Sequence, residues 1–263
     1  MLALISPAKT LDESKDYPSV STAIPTFASD AEYLVSKIRK YSANRLGKLM
    51  NVSEELAHLN WQRFQDFSSD FVEGKNAKPA IFTFKGDVYL GLEATSLQKK
   101  EIDYLQKNLA ILSGLYGLLN PLDLIQPYRL EMGLPFKVTP AKSNLYKYWG
   151  KKIQEEIVRK LKQESEGEEL IVNLASNEYA KAAKLSTLKV PVIEVDFKDR
   201  REDGGYKTIG FFAKKARGLM ARFMAVEQIK KAEDLKAFNY EGYLFEPKMS
   251  SEKKWIYTRE NQG

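Results

Sequence analysis

Short apolar runs that stop at small polar residues, then give way to amphipathic stretches, set the strongest limit on this fold. Residues 2–5 (LALI) stop at Ser6-Pro7, where proline removes a ladder donor. Residues 170–174 (LIVNL) stop at Ala175-Ser176-Asn177. Residues 80–84 (AIFTF) and 190–197 read the same way. Runs of this length between turn signals predict buried strands. Between them lie helical periodicities. Asp30 reads as the N-cap of a helix over 30–41, with Leu34, Val35 and Ile38 inward. Residues 97–112 place Ile102, Leu105, Leu109 and Leu112 in register, and 145–161 turn Trp149, Ile153, Ile157 and Leu161 to a core. Residues 12–29, with Pro18 and Pro25, read as a loop, and 243–245 and 255–257 as closing strands. The pattern predicts a mixed α/β (α+β) fold with a central mixed sheet wrapped by helices. There is no repeat or clear linker, and 263 residues at 43% hydrophobic content bury one large core. A single domain over 1–263 is expected.

The stretch 208–222 (TIGFFAKKARGLMAR) holds Lys214, Lys215, Arg217 and Arg222 and no acid. Residues 209–213 read as a strand running into a helix. On that helix Leu219, Phe223 and Val226 share one face, while Lys214, Lys215 and Arg222 fall roughly opposite. Gly218 lets another backbone approach. Basic side chains at a helix start, beside free N–H groups, suit a phosphate. A solvated basic helix face is the plainer reading of the same residues.

Composition removes several chemistries. The absence of cysteine excludes disulfides, thiolate nucleophiles and iron–sulfur clusters. One histidine, His58, argues against His-rich metal sites and a serine–histidine triad. No metal or cofactor is expected. The net charge of +6 permits nucleic acid, anionic membrane or acidic partners without choosing among them. The opening MLALISPAKT has too short an apolar run and no basic lead for a secretory signal. No run approaches a membrane span. A cytoplasmic protein is expected.

Several polar groups end predicted elements. Lys9 follows the first strand, and Lys85-Gly86-Asp87 ends the run at 80–84. Arg129 and Glu131 alternate with apolar neighbours in an extended segment, where Arg129 could clamp a phosphate or pair with Glu131. Glu178 follows the strand at 170–174 and reads either as a site carboxylate or as a first-turn helix acid. Residues 42–67 form a helical block in which 57–60 (AHLN) reads as a tight connection between two helices. His58 is then a hairpin residue or a partly buried histidine on a helical corner.

Five stretches resemble one family: SPAKTLD at 6–12, FKGDVY at 84–89, LSGLYGLLNPLDLIQPYRLEMG at 112–133, NLASNEY at 173–179 and FFAKKARGLMARF at 211–223. They are similar to the YaaA family of peroxide stress resistance proteins, in order and over nearly the whole chain. The resemblance implies a DNA-binding protein of the oxidative stress response, linked to recombination and repair. It would bind duplex or branched DNA without reading sequence. It also implies a positively charged cleft and a helix-hairpin-helix within 42–67. The family's hairpin glycine corresponds here to His58, a residue less suited to positive φ.

On this reading the DNA contacts are Lys9, His58, Asn60, Arg63, Lys85, Arg129, Lys214, Lys215, Arg217 and Arg222. Trp61, Tyr116 and Tyr128 are the aromatic candidates for stacking unpaired bases. The alternative is an enzyme acting on a nucleotide or other phosphate-bearing substrate, with Glu178 or Asp87 as acid or base. Convergence of the polar groups within hydrogen-bond reach would favour the enzyme; cations spread along a groove would favour DNA.

Overall fold

The computed structural model describes residues 1–14 and 16–260. Lys15, in the expected loop at 12–29, and residues 261–263, at the end of the expected domain, lie outside the described residues. The centre of the fold is β1 (Leu2–Ile5), every residue of which is buried. Strands covered on both faces read as continuous apolar runs, and this one does. Next in the chain come the two-residue strand β2 (Thr10–Leu11) and the helices α1 (Ala28–Ile38), α2 (Ala43–Met50) and α3 (Glu54–Asp66). A compact insert follows: β3 (Lys78–Pro79), α4 (Ala80–Thr83), β4 (Phe84–Lys85) and α5 (Asp87–Leu92). Helix α6 (Lys99–Asn108) leads into β5 (Leu109–Ser113), β6 (Gly117–Leu119) and β7 (Leu124–Ile125). Then come α7 (Leu145–Trp149), α8 (Lys152–Gln163), β8 (Ile171–Asn173) and α9 (Asn177–Ala182). The chain closes with β9 (Val192–Arg200), β10 (Tyr206–Lys207), α10 (Gly210–Val226), β11 (Leu244–Phe245) and β12 (Lys254–Arg259).

The main sheet has the order β11-β12-β9-β8-β1-β5-β6. The five inner strands are parallel, while β6 and β11 run antiparallel at the edges. Strand β10 pairs back on the far end of β9, beyond β8. From β1 the chain crosses to β5 on one side; it later returns to β8 and β9 on the other side. The gap between β1 and β8 is therefore a point where strand order reverses.

Several sequence expectations are corrected. Residues 80–83 are not a strand, and only Phe84 of that run is extended, in β4: α4 is one helical turn, held where Ala80 N–H donates to the Asp123 carbonyl and Ile81 N–H to that of Pro121. The helix expected over 97–112 stops at Asn108, and Leu109 turns extended to enter the sheet beside β1. Residues 209–213 are not a strand, since α10 already begins at Gly210. The helix at 145–161 is two, broken at Gly150 with φ +56°. Helix α1 starts at Ala28, so Asp30 is not its cap; it accepts from the Tyr148 hydroxyl at 2.7 Å and pairs with Lys152. The connection expected at 57–60 lies inside α3. Helices α2 and α3 instead meet at Asn51, which is left-handed at φ 51°, followed by Val52 and the N-cap Ser53.

The closest helix contact joins α5 to α10. A Cβ at Gly218 would overlap the Val88 carbonyl oxygen, and one at Gly91 would overlap that of Lys215. The helices run in the same direction, with Lys214 3.8 Å from Asp87 at the start of α5 and Arg222 3.6 Å from Glu93 at its end. Arg222 donates to the carbonyls of Leu92 and Glu93 and to Ser96, and so closes the C-terminus of α5. The buried face of α10 is made of Ala213, Ala216, Met220, Ala221, Phe223, Met224 and Ala225, with Leu219 and Val226 only half-buried.

Gly218→Ala should lower unfolding stability by about 1–3 kcal/mol or more, because the methyl group meets rigid backbone. Gly210→Ala, with open space around it, should be neutral or raise stability slightly. Urea unfolding of both variants checks the pair. A second expectation concerns Asp123, which is buried and accepts from the Asn120 amide N–H. Burial pushes its carboxyl up to about 7 from an ordinary value near 3.8. A folded-state value above the unfolded one adds stability below about pH 4 that is lost as pH rises through about 7. Stability measured by urea across that window should fall, and Asp123→Asn should flatten the fall.

Candidate functional site

In a parallel sheet every strand delivers its following loop to the same edge, and ligands gather where strand order reverses. Here that edge collects the ends of β1, β5, β8 and β9. After β1 come Ser6, Pro7, Ala8 and Lys9; after β8 come Ala175, Ser176, Asn177 and Glu178. The two loops are tied across the reversal, where Ser176 N–H donates to Ser6 Oγ at 2.9 Å. Tyr89 of α5 donates to the Ser6 carbonyl at 3.1 Å. The segment 128–131 crosses the end of β5 because Gly114 has no side chain, and a Cβ there would overlap the Leu130 carbonyl. Tyr128 anchors that segment through a 2.6 Å bond to Ser113 Oγ.

These ties form a small cleft lined by Pro7, Lys9, Tyr128, Arg129, Glu131 and Glu178. Glu131 accepts from Arg129 Nε at 3.0 Å and lies 3.4 Å from Lys9 Nζ. Arg129 and Glu131 are largely buried, whereas the Lys9 side chain is 64% exposed. Glu178 accepts from Gly133 N–H at 2.7 Å. Thr10, next to Lys9, pairs in β2 with the exposed Lys85 of β4. Lys214, 60% exposed, stands over Asp87. Lys9, Lys85, Arg129 and Lys214 therefore occupy one edge, interleaved with Asp87, Glu131 and Glu178.

The other sequence candidates lie elsewhere. Lys215 pairs with Glu241. Arg217 packs half-buried on α10; burial lowers its pKa and the Asp196 carboxylate opposes the shift. Its Nε is buried without a partner. Arg222 closes α5. On α3, Asn60 is buried and donates to the Leu56 carbonyl, and His58 is exposed beside Glu54. Arg63 pairs with Glu13 and contacts Asn60. It borders a groove lined in part by Asp12, Glu13, Ser14 and Tyr17, where half-buried Lys78 donates to the carbonyls of Asp12 and Ser14. His58, Lys48 and the Asn51 turn line a separate recess between α2 and α3. Of the stacking candidates, Tyr116 and Tyr128 are buried and Trp61 is half-buried.

Sequence reading missed Ser6, Ser176 and Gly133, which join the two loops and hold Glu178. Their signal was present in SPAKT and NLASNEY, where small polar residues follow buried strands. Among the described residues, no helix is long and apolar enough to cross a membrane.

The chain is similar to a UPF0246 protein of Aliivibrio fischeri strain MJ11, 47% identical over 263 residues and 100% of both chains. It is also similar to a UPF0246 protein of Flavobacterium johnsoniae, 46% identical over 259 residues, covering 98% of this chain and 100% of that one. The family described as Peroxide stress protein YaaA matches residues 1–249. With the family match and these full-length relatives together, the chain belongs to the peroxide stress protein YaaA family.

Proposed function

We propose that this protein binds DNA without reading its sequence and acts in the cytoplasm during peroxide stress to protect DNA or help its repair. The observation that supports the reading is the placement of Lys9, Lys85 and Lys214, all exposed, along the edge where the parallel strands end. Helix α10 starts at the same edge and has no acid in its first turn. Phosphates are held by such side chains and by free N–H groups, which position a duplex and carry no base information. Lysine contacts displace condensed cations from DNA, so affinity falls with salt.

The helix pair α2 and α3 is the second element of this reading, as a helix-hairpin-helix whose turn is Asn51, Val52 and Ser53. The left-handed Asn51 takes the conformation that a hairpin glycine would supply. Lys48 and His58 border the recess beside the turn. Glu54 and Glu55 in the first turn of α3 oppose a phosphate, which makes this the weaker of the two contacts.

A second reading, an enzyme or receptor for a small phosphate compound, draws support from the cleft where Lys9, Arg129, Glu131 and Glu178 converge at the strand-order reversal. Its two carboxylates already hold Arg129 and the Gly133 N–H, which favours binding over acid–base work.

Fluorescence anisotropy with a labelled duplex tests the first reading. Three lysine contacts predict a slope of log affinity on log salt of about −2.7. Lys9→Ala, Lys85→Ala and Lys214→Ala should each flatten it by about one. Arg222→Ala should leave the slope unchanged while lowering unfolding stability by about 1–2 kcal/mol, since it exposes helix carbonyls without a partner. Absence of duplex binding at low salt, or lysine variants matching the parent, would sink the DNA reading. Displacement of duplex by a nucleoside monophosphate, lost in Lys9→Ala, would transfer the site to the second reading.

A further inference from the structure

The first turn of α10 presents large apolar side chains to water. Residues 207–212 are all exposed, with Phe211 at 52% and Phe212 and Ile209 at 38%. Adjacent exposed apolar side chains of this size mark an interaction surface. The two rings meet edge to face, with centroids 5.6 Å apart. Arg259, fixed by Asp199, lies 4.5 Å from the Phe212 ring and covers one face of it. Among the described residues, no cation lies over the Phe211 ring in this way.

The surroundings of Phe211 are cationic. Lys207 and Lys214 flank it and both are exposed. Phe211 lies on the same helix stripe as Lys215 and Gly218, the stripe that packs on α5. Helix α5, however, begins level with Lys214. Phe211 therefore extends one turn past the start of that helix. An exposed ring between lysines, at the edge that carries Lys9 and Lys85, matches a strand of nucleic acid whose bases are free to stack.

We propose that Phe211 is a stacking platform for an unpaired base of DNA, with Lys207 and Lys214 on the phosphates to either side. The proposal rests on the DNA-binding reading above and adds a preference to it. A paired base hides both of its faces in the stack, so the ring offers nothing to a closed duplex. An unpaired base exposes a π face of the kind that aromatic side chains accept irrespective of sequence.

Anisotropy with a closed duplex and with the same duplex interrupted by a bubble of unpaired bases tests this. The parent protein should favour the bubble by about fivefold or more, the gain from one stacked base. Phe211→Ala should abolish the preference and leave closed-duplex affinity unchanged; Phe211→Trp should keep the preference. A 2-aminopurine placed in the bubble should be quenched by the parent and by Phe211→Trp, and not by Phe211→Ala. Equal affinity of the parent for both DNAs, or a preference that survives Phe211→Ala, overturns the proposal while the DNA reading stands. Failure to bind either DNA overturns both. Sedimentation that finds a dimer of the parent and a monomer of Phe211→Ala assigns the ring to self-association and overturns the proposal as well.

Discussion

Pairing of β1 with β5 on one side and β8 on the other fixes where every other element of this fold can go. All three strands are buried along their length. Every backbone polar group in such a strand needs a ladder partner, and its side chains need cover on both faces. Parallel neighbours cannot be joined by hairpins, so the chain leaves each strand at the same edge and returns by way of helices. That geometry carries Lys9, Ser176 and the start of α10 to one place, although they are far apart in sequence. The position of the candidate site follows from strand direction before any side chain chemistry is considered.

The contact of α5 with α10 gives the edge its particular charge. Gly91 and Gly218 bring the two backbones together, and parallel alignment sets Lys214 over Asp87 and Arg222 over the end of α5. One basic helix thus serves two purposes along its length. Its first turns face solvent with Phe211 and Lys214, while Arg217 is half-buried within the influence of the Asp196 carboxylate of β9 and Arg222 holds a neighbour in place. A helix whose cations were all free would bind phosphate more strongly and pack less well.

Much of the sheet was legible in the sequence, since residues 2–5, 170–174 and 190–197 are apolar runs with clear stops. Runs at 80–84 and 209–213 looked equally like strands and became largely helical, because a short apolar run has no period by which to tell them apart. Residues 109–112 continued a helical register and still joined the sheet, where a gap between β1 and β6 outweighed propensity. The helix pair at 42–67 was visible, but its turn was not, because Asn51 enters the left-handed region without the glycine that usually marks it. The cations were the least legible part. Lys9 and Lys214 sit at the edge, but the partners of Lys215, Arg222 and Arg63 are Glu241, the Leu92 carbonyl and Glu13. No local pattern points to partners that distant.

On the proposed reading, the carboxyl edge of the parallel sheet is the face that meets DNA. Amide hydrogen exchange, recorded with and without a saturating duplex, tests it most directly. Slowed exchange is expected in 6–10, 85–89, 129–133 and 207–215, with a smaller effect at 51–56. Slowed exchange confined to the α2–α3 pair, with the sheet edge unchanged, would contradict it.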